Sequence, residues 1–222
     1  MPQSVRDTGN LWLAKALWDL GAVQFGDFSL GRTTLHSPVY VNLRLLISDP
    51  RALQRAARVM HQEVQTLQRM LHPHVQPFQR IAGLPFGGLH LATALSLRSK
   101  VPMIYVHPAK ERNGSSEVFI EGRYQRGETV LLIDDLITSG GNVIEAGAFL
   151  QMQAGLKVKD ILVLLDREEG ARERLRANGY NLISILGLEP MLNYLMASGH
   201  IDEEWYRRSI DYIQSRRAER KP

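Results

Sequence analysis

The sequence contains no cysteine among its 222 residues. This absence excludes a disulfide scaffold, a thiolate-bound zinc or iron–sulfur centre and a thiol nucleophile. The chain also lacks any apolar run of about 18 residues, the length that a membrane-spanning helix needs. Its N-terminus, residues 1–10, carries charges but no apolar segment of the kind found in secretory signals. We therefore expect a soluble, cytoplasmic protein without a membrane partner.

Positive charge is in small excess, and no signature of nucleic-acid binding accompanies it. Lysine and arginine number 27 against 23 acidic residues, which gives a formal net charge of +4. Much of this excess lies at the C-terminus, in Arg216, Arg217, Arg220 and Lys221. The sequence has no helix-turn-helix, zinc-finger or RNA-recognition motif. We interpret the basic C-terminus as the solvated end of a helix and expect no nucleic-acid partner.

Apolar runs that alternate with helical patterns predict an α/β fold. Runs this apolar are typical of strands that are covered on both faces of a parallel sheet. Right-handed crossovers then place helices on both sides of the sheet, and ligands bind just beyond the carboxyl ends of its strands. The predicted strands cover residues 80–84, 103–106, 129–135, 161–166 and 182–186.

A different pattern precedes this sheet. Residues 11–20 have helical spacing and end at Gly21, residues 25–46 contain two short strands joined by a turn, and residues 51–70 form a long helix. The turn between the strands is expected near residues 31–36. We predict two parts packed as one compact unit, an N-terminal segment over residues 1–50 and an α/β core over residues 51–222.

The most informative segment follows the third predicted strand of the core. That strand ends in Asp134 and Asp135, and the turn Thr138-Ser139-Gly140-Gly141 leads into a helix over residues 142–152. Glycines let the backbone approach a ligand closely, and free N–H groups at a helix start suit a phosphate. Two carboxylates would repel that phosphate, so they suit sugar hydroxyls or a metal ion. The combination predicts a ribose 5-phosphate site; the alternative is a plain strand end and a structural turn.

The same residues carry a family resemblance. The segment IDDLITSGG, residues 133–141, resembles the phosphoribosyl-diphosphate (PRPP) motif of type I phosphoribosyltransferases. Four further stretches are similar to the hood, pyrophosphate loop, fourth-strand end and closing helix of orotate phosphoribosyltransferases. They are FGDFSL with SPVYVNLR (25–30 and 37–44), GLPFGGLHLAT (83–93), LLDREEG (164–170) and residues 201–214. The resemblance implies the type I phosphoribosyltransferase fold, with a central mostly parallel sheet flanked by helices and a small N-terminal hood.

The resemblance also implies a role for each site residue. Arg167 would bind the carboxylate of orotate, for which a guanidinium is well shaped; a surface salt bridge with Glu168 or Glu169 is the alternative. The Phe86-Gly87-Gly88 stretch offers N–H groups to an anion, or it is a plain turn. The PRPP-binding residues would be Asp134, Asp135, Leu136, Ile137, Thr138, Ser139, Gly140, Gly141, Asn142, Phe86 and Gly87; the orotate-binding residues Thr138, Arg167 and Arg32; and the catalytic residues Lys110, Arg112, Asp134 and Asp135.

The implied reaction transfers the phosphoribosyl group of PRPP to orotate and gives orotidine 5′-monophosphate and pyrophosphate. Positive charge develops at the anomeric carbon and negative charge on the departing pyrophosphate, so catalysis would depend on positioning and on electrostatic stabilisation. The resemblance implies Mg²⁺ as cofactor, held largely by the pyrophosphate and the ribose hydroxyls rather than by protein ligands. It also implies a homodimer.

One stretch departs from the family pattern. The family has a mobile catalytic loop with an Arg-Lys pair and a further lysine ahead of a glycine, whereas this chain has HPAKERNG at residues 107–114. Lys110 and Arg112 lie one residue to either side of the expected lysine, and Glu111 takes its place. A glutamate there would repel pyrophosphate, so two alternatives stay open: a PRPP- or nucleotide-binding regulator, and a phosphoribosyltransferase for another base. A receiver-like signalling module is excluded, because its acid pair would lie near the start of a small domain.

Overall fold

A computed structural model describes residues 10–30, 34–112 and 115–219, of which residues 30, 34, 107–112 and 115–118 are described by their backbone alone. No helix within these ranges is long and apolar enough to cross a membrane. The strands are β1 (Val23–Leu30), β2 (Thr34–Val41), β3 (Arg80–Gly83), β4 (Met103–Arg112), β5 (Ser115–Glu121), β6 (Thr129–Ile137), β7 (Lys157–Asp166) and β8 (Asn181–Gly187). The α-helices are α1 (Leu11–Asp19), α2 (Pro50–Gln68), α3 (Gly87–Ser99), α4 (Gly141–Ala154), α5 (Ala171–Ala177), α6 (Leu188–Ala197) and α7 (Glu203–Glu219).

A six-stranded sheet in the order β5-β4-β3-β6-β7-β8 forms the centre of the molecule. All neighbours pair in parallel except β5, which runs antiparallel to β4 at one edge. Each of the five apolar runs predicted as core strands coincides with one of the parallel strands, except that Leu84 lies one residue beyond the end of β3. The prediction of an α/β fold with a mostly parallel sheet is confirmed.

The stretch predicted as a loop after residue 106 is instead an extension of the sheet. β4 continues to Arg112 and pairs with β5 from Tyr105↔Glu121 to Arg112↔Ser115. The pairing shifts register between His107 and Lys110, on either side of Pro108, which has no N–H to donate to a ladder. The loop prediction was therefore wrong over the described backbone, because the antiparallel partner after residue 114 was not recognised.

Two apolar clusters cover the two faces of the sheet. Leu131 and Ile133 of β6 belong to one cluster with residues of α1, α2, α3 and α6, whereas Val130 and Leu132 belong to the other with residues of α4 and α5. This alternation explains the near-continuous apolar run of β6, since both faces of the strand are buried. The buried strand also carries its polar end, Asp134 and Asp135, to the carboxyl edge of the sheet.

The N-terminal residues form the helix α1 and an antiparallel hairpin of β1 and β2, which we call the hood hairpin. Val39 and Val41 of this hairpin pack into the same apolar cluster as Leu131. A 3₁₀ helix (Leu43–Ser48) connects the hairpin to α2, which begins where the Asp49 side chain accepts hydrogen bonds from the N–H groups of Arg51 (2.9 Å) and Ala52 (3.1 Å). The division at residue 50 stays a prediction.

The C-terminal helix α7 is not simply a solvated basic end. Arg217 donates from Nε to the carbonyl oxygen of Glu168, 2.9 Å away, and its side chain is 39% exposed. The interpretation of a wholly solvated basic C-terminus was therefore wrong for Arg217. Arg220 and Lys221 lie outside the described residues.

Candidate functional site

The candidate site lies at the end of β6, which extends beyond the end of its neighbour β3. Gly83↔Ile133 is the last pair between these strands, but β6 continues to Ile137, which pairs with Asp166 of β7. Leu84 donates to the Ile133 carbonyl at 2.9 Å, and the chain then turns into α3. Asp134 and Asp135, the acid pair, therefore lie at the carboxyl edge of the sheet beside the start of α3. This edge is where parallel α/β sheets bind ligands.

The start of α3 touches the acid pair directly, and only glycine leaves room for that contact. A Cβ atom on Gly88 would lie 2.5 Å from the Ile133 carbonyl oxygen and 2.8 Å from the Asp134 Cα. A Cβ on Gly87 would overlap the Asp135 carboxyl group. Two segments that the sequence analysis singled out separately are thus brought together. Only glycine lets the two backbones approach so closely here.

The acid pair concentrates negative charge. Each carboxylate accepts a hydrogen bond from the next backbone N–H, Asp134 from Asp135 and Asp135 from Leu136, both at 2.9 Å. Both side chains are half-buried. Burial, together with the neighbouring Asp135 carboxylate, raises the pKa of Asp134 well above its ordinary value. The pair therefore favours a partner that brings hydroxyl donors or positive charge.

Residues 138–141, the glycine turn, connect β6 to α4. Gly140 has a φ of +76°, a conformation that favours glycine, and its carbonyl accepts the N–H of Ile144 at 3.0 Å. Gly140 has no side-chain cap at this helix start. The first N–H groups of α4 therefore point out of the helix with the positive end of its dipole, which suits an anion.

Arg174 of α5 adds a positive charge that the sequence analysis missed. Its guanidinium donates to the Ser139 carbonyl at 3.4 Å and lies 3.8 Å from the position that a Cβ on Gly141 would take. The residue follows Ser139 by 35 positions and precedes no recognisable motif. No pattern in the sequence therefore pointed to it.

Arg167 lies just past the end of β7, as predicted, but its side chain is buried rather than open to solvent. The guanidinium is 2% exposed and bonds three groups: Glu169 Oε1 at 2.7 Å, Ser37 Oγ at 2.9 Å and the Val39 carbonyl at 3.2 Å. The alternative of a surface salt bridge is wrong in its location, because Arg167 and Glu169 form a buried ion pair. The same bonds tie the hood hairpin to the core.

Some predicted site residues cannot be placed by their side chains. Arg32 lies outside the described residues. Lys110 and Arg112 are described by backbone alone, and they pair with Glu117 and Ser115 of β5. In this register positions 110 and 112 fall on one face of β4 and position 111 on the other. Their contacts with a ligand stay predictions.

The remaining predicted residues lie close to the acid pair along the chain. Leu136 and Thr138 are half-buried, Ile137 and Ser139 are buried, and Asn142 is exposed on the first turn of α4. Phe86, at the start of α3, is 67% exposed and directly precedes Gly87, which packs against Asp135. The side of the site near α3 is therefore open to solvent.

A cavity of about 500 Å³ lies elsewhere, along β8. Its lining includes Asp166, Glu168, Arg172, Ser184 and Arg217 but not the acid pair. The acid pair and the glycine turn therefore lie outside this cavity, at the carboxyl edge of the sheet, in the candidate site that we call the crevice. Among the residues that the structure describes, no group of three histidines or acids could hold a metal ion by itself.

Comparison with known proteins shows that this chain is similar to one family of enzymes. The model of the phosphoribosyl transferase domain matches residues 49–186. The orotate phosphoribosyltransferase of Pyrococcus abyssi is 34% identical over 174 residues, 78% of this chain and 90% of that protein. The uridine 5′-monophosphate synthase of Bos taurus is 35% identical over 202 residues, 91% of this chain. The chain spans only 40% of that longer relative.

Solved structures agree with the sequence comparison. The crystal structure of orotate phosphoribosyltransferase from Aeropyrum pernix has a TM-score of 0.70 and 32% identity, and the match covers 86% of this chain and 99% of that one. The matched region includes a mostly parallel sheet and its flanking helices. The range matched by the family model, residues 49–186, contains the acid pair, the glycine turn and the start of α3.

Proposed function

The chain belongs to the phosphoribosyl transferase domain family, and we propose that it is an orotate phosphoribosyltransferase of pyrimidine nucleotide synthesis. The family resemblance drawn from the sequence is confirmed, as is the type I fold. The observation that carries the proposal is the direct packing of α3 onto the acid pair, next to the glycine turn. This arrangement offers an anion two helix starts and a sugar two carboxylates within one crevice.

The glycine turn is proposed to bind the 5-phosphate of PRPP. The outward N–H groups from Thr138 to Asn142 would donate to the phosphate oxygens, and the Arg174 guanidinium would add a charged donor nearby. The acid pair would accept hydrogen bonds from the ribose 2- and 3-hydroxyls. Hydrogen bonds from these hydroxyls would stabilise the charged form of Asp134, whose pKa is raised by burial and by the neighbouring Asp135 carboxylate.

The start of α3 is proposed to face the pyrophosphate. Backbone N–H groups at Phe86 and Gly87, where the helix begins, would donate to the anion. Lys110 and Arg112 would supply positive charge from β4. As the ring nitrogen of orotate loses its proton to solvent and bonds to the anomeric carbon, the bond from that carbon to the pyrophosphate oxygen breaks. The donors stabilise the negative charge that develops on the leaving group.

Orotate itself is proposed to bind between the hood hairpin and the end of β7. Because the Arg167 guanidinium is buried against the hood hairpin, the carboxylate of orotate would reach it by replacing its bonds to Ser37 and Val39. Thr138 and Arg32 would be further contacts. Ser37 and Val39 already lie against the Arg167 guanidinium. A planar base would thus be covered by the hood, which excludes water from the reacting carbon.

The residues present fit a Mg²⁺ ion that is shared with the substrate. The acid pair provides the carboxylate oxygens that Mg²⁺ prefers, and the raised pKa of Asp134 marks a place where a cation relieves repulsion. When bound, the ion would neutralise the pyrophosphate charge. Mg²⁺ alone is expected to leave the melting temperature unchanged, whereas Mg²⁺ with PRPP raises it. We further propose a cytoplasmic homodimer, which sedimentation and cell fractionation test.

The function is tested by following orotate depletion spectrophotometrically with PRPP and Mg²⁺. Uracil, which lacks the orotate carboxylate, is the matched control substrate. We expect turnover with orotate and at least a tenfold lower kcat/KM with uracil, because one charged contact is worth about 1.5–3 kcal/mol. A folded protein that binds PRPP by calorimetry without turnover would overturn the enzymatic proposal. Equal rates with both bases would overturn the choice of orotate.

A further inference from the structure

Arg217, near the end of α7, makes contacts that join distant parts of the molecule. Besides the bond from Nε to the Glu168 carbonyl, its Nη2 lies 2.9 Å from Glu168 Oε1 and 3.3 Å from Glu189 Oε2. The two acids belong to different segments, one directly after β7 and one in the first turn of α6. The Arg217 side chain therefore connects α7 with the segment after β7 and with the first turn of α6.

Arg217 contacts the turn of residues 166–169, which we call the Arg167 turn. Glu168 has a φ of +60°, in the left-handed region that a residue with a side chain rarely adopts. Its N–H donates to Asp166 Oδ1 at 2.8 Å, and its carboxylate accepts the N–H of Glu189 at 2.7 Å. The bonds of Arg217 are thus part of what holds this unusual backbone conformation.

The Arg167 turn also determines where the hood hairpin sits. Glu168 lies between Arg167 and Glu169, so its backbone conformation determines where Glu169 stands. Glu169 accepts a hydrogen bond from the buried Arg167 guanidinium at 2.7 Å, and the same guanidinium bonds Ser37 and Val39. Helix α7 contacts the hood hairpin independently, since the rings of Phe25 and Trp205 lie 5.8 Å apart. The helix therefore supports both sides of the place where the base is proposed to bind.

We propose that Arg217 is a positioning residue for the base pocket, which fixes the Arg167 turn and through it the guanidinium and the hood hairpin. This inference rests on the proposed function, since it assigns the base pocket to the same place. Arg217 touches neither reacting atoms nor the acid pair. Its loss should therefore affect binding of the base and spare binding of PRPP.

The test compares Arg217→Ala with Arg216→Ala, which removes the same charge from the same helix turn. Arg216 lies over the Tyr212 ring and pairs with Glu219, and neither of these contacts involves the Arg167 turn. For Arg217→Ala we expect the KM for orotate to rise about 3- to 30-fold, with kcat and the KM for PRPP within twofold. Arg216→Ala should match the wild type. Arg217→Lys should recover part of the loss, because a lysine keeps the charge but cannot donate in two directions from a planar fork.

Amide hydrogen exchange on the ligand-free protein separates this inference from the proposed function. Arg217→Ala should speed exchange in residues 167–169 and 37–41, and Arg216→Ala should not. Equal exchange in both variants overturns the positioning role, whether or not the protein turns over orotate. A parallel rise of both KM values, or an unchanged KM for orotate despite faster exchange, overturns the link to the base pocket. Absence of turnover in the wild type counts against the proposed function alone.

Discussion

The two halves of the crevice are built in different ways. On the β6 side, the acid pair and the glycine turn come from one contiguous stretch, and backbone groups form most of the anion-binding surface. On the hood side, the contacts are side chains from segments far apart in the chain: Ser37, Arg167, Glu169 and Arg217. A backbone site depends on space and conformation, whereas a side-chain site depends on each partner being present. Different substitutions should therefore disrupt the two halves.

The largest expected effect belongs to the hood side. Arg167→Met removes a buried guanidinium from three acceptors and leaves Glu169, which is 0% exposed, without its ion-pair partner. We expect the free energy of unfolding to fall by about 3–5 kcal/mol, the usual cost of breaking a buried ion pair. Urea denaturation measures it. Arg172→Met, which removes an arginine that is 42% exposed, should cost about 1 kcal/mol.

If the two substitutions cost the same, the hood side is not held by buried side chains and the comparison fails. A double variant, Arg167→Met with Glu169→Met, sharpens the result. Because the two side chains interact directly, its cost should be smaller than the sum of the single costs by about 1–3 kcal/mol. Strict additivity would mean that the ion pair contributes nothing beyond each residue's other contacts.

The hood side should also respond to pH through Glu168. Burial raises the pKa of this carboxyl from its ordinary 4.5 to about 7, against the opposing effect of Arg217. Between these values the folded protein keeps a proton that the unfolded chain has lost. The stability present below pH 4.5 is therefore lost as the pH rises through about 7. The loss should amount to about 3 kcal/mol, at 1.36 kcal/mol per pKa unit.

Glu168→Gln should weaken the dependence of the free energy of unfolding on pH, because glutamine keeps an oxygen for the Glu189 N–H but does not titrate. Burial also raises the pKa values of Asp134 and Asp166, and both contribute in the same direction. The difference between wild type and variant, measured by urea denaturation from pH 4 to 8, isolates Glu168. Parallel pH curves for the two proteins would show that Glu168 does not titrate in this range.

The contiguous half of the site could be predicted from the sequence, and the dispersed half could not. The pattern of Asp134, Asp135 and the glycine turn is local, so its order along the chain matches its arrangement in space. Arg174 and Arg217 reach the site from helices with ordinary amphipathic patterns, and nothing in those patterns marks them. Arg167 was located at a strand end, but its burial depends on the hood hairpin, which is 130 residues away.

Local sequence patterns also failed to predict the edge strand of the sheet. The five buried strands were predicted because an apolar run needs no partner to be recognised. β5 was missed because an edge strand is polar and its pairing with β4 is visible only in three dimensions. The role of Gly88 was missed for the same reason, since the atoms that exclude a Cβ there belong to β6.

On the β6 side, Asp134→Asn should separate stability from activity. Asparagine keeps an oxygen for the Asp135 N–H and removes the charge whose burial beside Asp135 raises the pKa of Asp134. We expect a higher melting temperature but about a 10²-fold lower kcat/KM, comparable to the loss of one stabilising group in an active site. Asp19→Asn, at a 53% exposed position in α1, should change neither. A variant that is less stable and fully active would contradict the proposed role of the acid pair.

The smallest expected change in stability comes from adding one methyl group on the β6 side. In Gly88→Ala the new Cβ meets a backbone oxygen and a backbone carbon at 2.5 and 2.8 Å, and neither can move without shifting β6. We expect a loss of about 1–3 kcal/mol from overpacking, together with weaker PRPP binding by calorimetry, because the acid pair must move.

Gly199→Ala is the matched control, since a Cβ there meets nothing within 4 Å and the cost arises only from its φ of +71°. That cost is about 1–2 kcal/mol and should leave PRPP affinity unchanged. The decisive quantity is therefore affinity rather than stability, because both variants unfold more easily but only one displaces the site. Equal PRPP affinities in the two variants would mean that the β6 side tolerates a backbone shift, and that its geometry is less strict than that of the hood side.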